Sequence, residues 1–187
     1  MALISGGSIH VEPRTAEVVA GRVEKPSVGY VPQDGREAFD GNRPVGVQLA
    51  SLGNQSQVAR TSVAARYPSS SGDLRPDQHS VGQIQRAALT AALLQKPRLL
   101  VIDEPSASLD TETAIRVWET IKSYPTRVPG AAVLVVTHDV GMMVALHVAD
   151  RLVVMRDGRI FRRGSTEAVL GDANTYVRGF LDTWMSR

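Results

Sequence analysis

The sequence predicts an α/β domain, a mostly parallel sheet flanked by helices and preceded by N-terminal β-strands. Two apolar runs carry the prediction. Leu99–Ile102 and Ala131–Val136 are unbroken by polar residues, the form of strands buried on both faces of a parallel sheet. Helical patterns flank them. Residues 83–95 are strong helix formers with Ile84, Ala87, Ala88, Ala91 and Leu94 on one face. Residues 111–123 place Ile115, Trp118 and Ile121 on another, with Tyr124-Pro125 ending the helix. A strand–helix–strand unit is right-handed and brings the two strand ends to one sheet edge, where open α/β sheets bind ligands.

Polar residues stand at that edge. Asp103 and Glu104 follow the first run, and Pro105, lacking an N–H, stops the strand. Asp103 is suited to holding Mg²⁺ directly or through water. Glu104 is suited to polarising a water that attacks a phosphoryl group. His138 follows the second run and can donate to a phosphate oxygen. An acidic turn or a lone His after a strand is ordinary by itself; the neighbouring segments decide for function.

Composition sets bounds. The 187 residues suffice for one domain with a core, and 43% are hydrophobic. No 18-residue apolar span crosses a membrane, and Met1–Gly7 lacks the basic start and long apolar core of a signal peptide. With no Cys, disulfides and thiolate metal sites are excluded, which fits a cytosolic protein. A net charge of +2 does not argue for nucleic-acid binding. Arg151, Arg156, Arg159, Arg162 and Arg163 cluster near a predicted hairpin; a solvated face explains them, with a surface near anionic lipid as the second reading.

In chain order, Gly6-Gly7 is a turn signal, and Ser8–Val11, Val18-Val19 and Val28–Val31 are strand candidates, with His10 an ordinary strand residue. Val45–Leu52 and Gln57–Arg66 carry short helical patterns, and Ser69–Asp73 reads as loop. Ser80 can cap the helix that follows it, Asp110 the next, and Asp139 one running to about Val148 that includes His147. Leu152–Met155, the Asp157-Gly158 turn and Ile160-Phe161 form a hairpin. Ser165 or Thr166 caps another helix. Tyr176, Phe180 and Trp184 make one stripe on a last helix over about residues 174–184.

Several segments together resemble the ATPase domain of ABC transporters. Leu99–Asp110 is similar to the Walker B motif and D-loop, and Gly29-Tyr30-Val31-Pro32-Gln33-Asp34 to the Q-loop. Ser80-Val81-Gly82-Gln83-Ile84-Gln85-Arg86 resembles the signature motif, usually L-S-G-G-Q-x-Q-R, with His79 for the Leu and Val81 for a Gly. Thr137-His138-Asp139 resembles the H-loop, and residues 149–160 the closing hairpin of transporter ATPases. The resemblance runs over roughly residues 5–170 in the family's order. It implies a P-loop NTPase-like fold in one domain: a β-rich segment to the Q-loop over 1–34, a small helical subdomain with the signature helix over 35–95, and a catalytic core over 96–187.

The resemblance also implies ATP and Mg²⁺ as cofactors. Asp103 and Gln33 are the metal candidates, Glu104 and His138 the catalytic pair, and Gln33, Ser80, Gly82, Gln83 and Asp110 the nucleotide contacts. In the family, Ser80 and the Gly82 N–H would touch the γ-phosphate held by an opposite subunit. Implied partners are a second ABC ATPase subunit, identical or different, and transmembrane permease subunits at the inner face of the cell membrane, with no nucleic acid. No Walker A pattern, G-x-x-x-x-G-K-S/T, occurs in the 187 residues. The expectation is therefore that the N-terminal part of the fold is missing, with Met1–Ile4 the remnant of the helix after Walker A and a sheet edge left open. A truncated ATPase, a pseudo-ATPase partner and a regulator outside transport all fit, and the break inside one structural unit favours the first. ATP binding by the chain alone is then doubtful.

Overall fold

The computed structural model describes residues 28–185 and, ahead of them, the strands β1 (Ala2–Leu3), β2 (Glu17–Val19) and β3 (Arg22–Glu24). The predicted strand Ser8–Val11, with Gly6, Gly7 and His10, lies outside the described residues, as do the side chains of Phe180 and Trp184.

From β4 (Val28–Val31) the chain passes a 3₁₀ turn at Gly35–Ala38 into α1 (Val45–Ala50), α2 (Gln55–Ala64) and α3 (Val81–Leu94). It then alternates: β5 (Leu99–Asp103), α4 (Thr111–Lys122), the single turn α5 (Tyr124–Arg127), β6 (Ala132–Val136) and α6 (Val140–Ala145). The hairpin β7 (Arg151–Arg156) and β8 (Arg159–Ser165) follows, then α7 (Thr166–Leu170) and α8 (Thr175–Met185).

The two apolar runs are neighbours. β4, β5 and β6 pair in parallel, with Asp103 beside Val136 in the register. Buried Leu100, Val101 and Ile102 explain the run's lack of polar residues. The Met1–Ile4 expectation is corrected at Ala2–Leu3, which are a strand parallel to β6, opposite Leu134 and Val135. Along Leu134 and Val135 the outer side of β6 is thus paired rather than open, two extended residues taking up the ladder hydrogen bonds there.

α3 is apolar nearly all round because it separates two cores. Ala88, Leu89, Ala92 and Leu93 join the sheet core with Val31, Ile102, Trp118 and Val135. Ile84, Ala87 and Ala91 join Val45, Leu49 and Tyr67 in a smaller one. Each large side chain so buried is worth about 1.5–3 kcal/mol. The polar look of residues 35–78 suggests a thin core; its apolar side chains nonetheless converge on α3.

Other local expectations need adjusting. The inward face of α4 is Ala114, Val117, Trp118 and Ile121, while Ile115 is half-buried. Pro125 ends α4 by starting a further turn, in which the Tyr124 hydroxyl donates to the Pro97 carbonyl at 2.8 Å. α6 stops at Ala145, so His147 is not helical; its φ of +50° turns the chain toward β7. The hairpin turn is at Asp157-Gly158 as predicted. On α8 the described buried residues are Val177 and Leu181, and Tyr176 instead packs edge-on to Phe161 with Arg156 over its ring.

Candidate functional site

The parallel register builds the site. With Asp103 opposite Val136, the next residues on the two chains, Glu104 and Thr137-His138, meet just beyond the strand ends. The Glu104 N–H extends the ladder to the Val136 carbonyl at 2.8 Å. Glu104 then turns at φ +49°, a left-handed conformation that costs a non-glycine residue energy and swings its side chain to β6. Its Oε1 accepts the His138 backbone N–H at 3.1 Å and lies 2.7 Å from His138 Nδ1. Its Oε2 accepts the Thr137 hydroxyl at 3.2 Å. The Glu104 side chain is largely covered and His138 half exposed.

A second tier holds this pair. Thr137, almost fully buried, also accepts the Asp139 N–H at 3.0 Å, and Ser106 donates to Asp139 Oδ2 at 3.2 Å. Asp139 Oδ1 caps α6 through the Met142 N–H at 3.2 Å. The loop after β5 and the loop after β6 are therefore one hydrogen-bonded unit. The sequence marks Thr137 only as part of the H-loop-like segment; its place between a buried strand and His138 is the signal for this supporting role.

Asp103 points elsewhere. With Tyr30, Gln33, Asp34, Arg36, Glu37 and Val81 it lines an open cleft of about 490 Å³. Burial, and next the charge of Glu104, hold its carboxyl above the usual carboxylate range. Its own partial burial first, then the charges of Asp103 and Glu37, raise the Tyr30 hydroxyl. Gln33 is exposed after the buried Pro32. Gly35 permits the turn to lie on α3, since a Cβ there would stand 2.6 Å from the Ile84 carbonyl oxygen.

The signature-like residues occupy the start of α3. Ser80 Oγ accepts the Gln83 N–H at 3.2 Å and Gln83 Oε1 accepts the Ser80 N–H at 3.0 Å, a reciprocal capping box. The Ser80 hydroxyl proton is left to donate. Val81, exposed, forms part of the cleft wall. Gly82 is packed on the loop after β5; a Cβ would meet Leu109 Cδ2 at 2.9 Å. Asp110 caps α4, accepting from the Thr113 N–H at 2.9 Å and its hydroxyl at 2.7 Å, and these bonds hold its carboxyl below the usual range.

The structure thus joins Glu104 to His138, and Gln33 to Asp103 and the edge of α3. It does not bring Asp110 into the cleft. His79 is not a surface substitute for Leu: it is buried, its Nδ1 2.9 Å from the Arg75 carbonyl and its Nε2 3.0 Å from the Tyr67 hydroxyl, with the rings stacked. A carbonyl only accepts, so Nδ1 carries the proton and Nε2 accepts from Tyr67, whose hydroxyl burial pushes up to about 12.

Comparison with known proteins supplies the context. Residues 18–143 match the family described as "AAA domain, putative AbiEii toxin, Type IV TA system". Among curated proteins, the chain is 34% identical over 152 residues to an Fe(3+) ions import ATP-binding protein FbpC 2 of Pectobacterium atrosepticum, covering 79% of this chain and 43% of that protein. It is 44% identical over 102 residues to the aliphatic sulfonates import ATP-binding protein SsuB 2 of Agrobacterium fabrum, covering 54% and 38%. It is 38% identical over 108 residues to the spermidine/putrescine import ATP-binding protein PotA of Escherichia coli K12, covering 57% and 28%. The chain therefore spans less than half the length of these relatives.

Among solved structures it shares its fold with the dimeric ATP-binding cassette MJ0796 bound to ADP and Pi, at a TM-score of 0.62 and 22% identity, covering 74% of this chain and 62% of that one. A bacterial Atm1-family ABC exporter with ATP bound gives a TM-score of 0.69 at 21% identity, covering 84% and 28%. With the AAA-type domain matched over more than half of its residues and import ATP-binding proteins at 34–44% identity among its relatives, the chain belongs to the P-loop ATPase domains of the ATP-binding cassette family.

Proposed function

We propose that the chain is the ATP-handling part of an importer-type ABC transporter and acts beside a second, complete ATPase subunit on permease subunits at the inner face of the membrane. The observation that carries the proposal is the Glu104–His138 contact at the joined ends of two parallel strands. It sets a carboxylate and an imidazole side by side at the edge where phosphate chemistry belongs in such a sheet. Among the described residues no helix is long and apolar enough to cross a membrane.

The donors fit magnesium carried on phosphates. Asp103 and Gln33 offer oxygens into one cleft, and among the described residues no group of three or more His, Asp or Glu could hold a cation unaided. Magnesium keeps several waters or phosphate oxygens around one or two protein ligands. When bound with ATP it supplies charge neutralisation on the phosphate oxygens. Glu104 would orient the attacking water. Oε1 is occupied by two donors from His138 and Oε2 by one from Thr137, so Oε2 retains an open lone pair for that water. With Nδ1 donating to Glu104, His138 can also donate from Nε2 only when doubly protonated.

The 187 residues contain no Walker A pattern, the lysine-bearing glycine loop that anchors β- and γ-phosphates. The start of α3 needs no such loop. Ser80 and the Gly82 N–H can serve a γ-phosphate held by the partner subunit, with Val81 crowding the approach. The solute is not read from these residues; the chain is similar to relatives named for iron, for sulfonates and for polyamines alike.

The test has two arms. Equilibrium binding to the isolated chain should show weak affinity for Mg-ATP. ATP turnover by a complete cassette subunit should rise when the chain is added, fall by up to about 10²–10³ in the stimulated part with Ser80→Ala, and increase with Val81→Gly. No stimulation, with indifference to Ser80→Ala, sinks the proposal; tight Mg²⁺-dependent binding by the chain alone sinks the first arm.

A further inference from the structure

Gln85 has no part in the chemistry above, yet it is an amide buried to 3% exposure on the face of α3 that also carries Ala88 and Ala92. Its Nε2 donates to the Pro32 carbonyl at 2.8 Å and approaches the Asp103 carbonyl at 3.5 Å. Its Oε1 is buried without a hydrogen-bond partner. Burying an amide acceptor unsatisfied costs stability, and an apolar residue of similar volume would fill the space without that cost. The donor end is what the position uses.

The two carbonyls identify the use. Pro32 immediately precedes Gln33, and the Asp103 carbonyl belongs to the residue whose carboxylate lines the cleft. The same stretch of α3 receives Gly35 closely, a Cβ there standing 2.8 Å from the Gln85 backbone nitrogen. We infer that Gln85 is a positioning residue: its side-chain amide ties the ends of β4 and β5 to the signature helix, so that Gln33, Asp103 and the Ser80 end of α3 keep one arrangement. The importance of that arrangement for ATP rests on the proposed function; the tether itself does not.

The comparison is between the native chain and Gln85→Met, which keeps bulk and removes the donor. Backbone amide exchange of Glu37 and Phe39, which bond within the turn to Asp34 and Arg36, should quicken at least tenfold in the variant. Exchange over Ala88–Leu93 of α3 should not change. In the mixed turnover assay the Mg²⁺ concentration for half-saturation should rise while the maximal rate changes less. Unchanged exchange at Glu37 and Phe39 in a folded variant makes Gln85 a space-filler and overturns the inference. If the variant does not fold, the native chain decides. Its Gln85 side-chain amide protons should exchange at least tenfold more slowly than those of exposed Gln33 and Gln55 and couple across the bond to the Pro32 carbonyl; equal exchange overturns it. Exchange effects without any turnover would leave the tether standing and remove the ATP reading alone.

Discussion

Glu104 Oε1 and His138 Nδ1 lie 2.7 Å apart although 34 residues separate them. The β5–β6 register makes the contact, and the positive φ of Glu104 aims it. Glu104→Gln keeps the shape but cannot act as a base. In the mixed turnover assay it should lower the stimulated rate by about 10²–10⁴ if Glu104 orients the water on this chain's side. His138→Ala, which frees Oε1 of a donor, should also lower it. Full activity in both variants would remove this pair from the chemistry.

The Tyr67–His79 pair is a closed hydrogen-bonded unit just ahead of α3. His79→Leu alone strands the Tyr67 hydroxyl in the small core and should cost about 1–3 kcal/mol. Adding Tyr67→Phe should recover much of that loss, because both polar partners are then gone. A denaturant-unfolding double-mutant cycle reads the coupling. Additive losses would mean that the two rings stabilise independently.

Gly35 has no room for a methyl group against the Ile84 carbonyl. Gly35→Ala should destabilise by about 1–3 kcal/mol through overpacking, seen as a lower urea midpoint with an unchanged slope. A neutral substitution would show that the turn is not seated on α3.

Asp103 supplies a pH signature. Its carboxyl is raised by burial first and by Glu104 second. The folded chain then holds this proton more tightly than the unfolded chain, so stability falls as pH rises from the usual carboxylate value through the raised one. Asp103→Asn, which cannot ionise, should melt higher than the native chain at pH 7. The advantage should vanish once the pH is below the usual carboxylate value. A difference independent of pH would point to packing instead.

Much of this domain was written locally. Apolar runs long enough for a strand, Asp or Ser before a helix and Asp-Gly in a hairpin act within a few residues, so Leu99–Asp103, the caps at Ser80, Asp110 and Asp139, and the turn at Asp157 were legible in the sequence. So were Asp103, Glu104 and His138 as residues at strand ends. Tertiary packing decided the rest. Which face of α4 is inward depends on what it packs against, and Val117 takes the place that spacing alone offered to Ile115. Ala2–Leu3 became a strand because β6 presented unpaired backbone to them, and His79 became a core residue because Tyr67 and the Arg75 carbonyl satisfy both its nitrogens. Glu104 and Asp103 are adjacent in sequence yet face different surroundings, one toward Thr137 and His138, the other into the Gln33 cleft. A strand's alternation and a single left-handed turn separate them, and only the register of the neighbouring strand determines what each then meets.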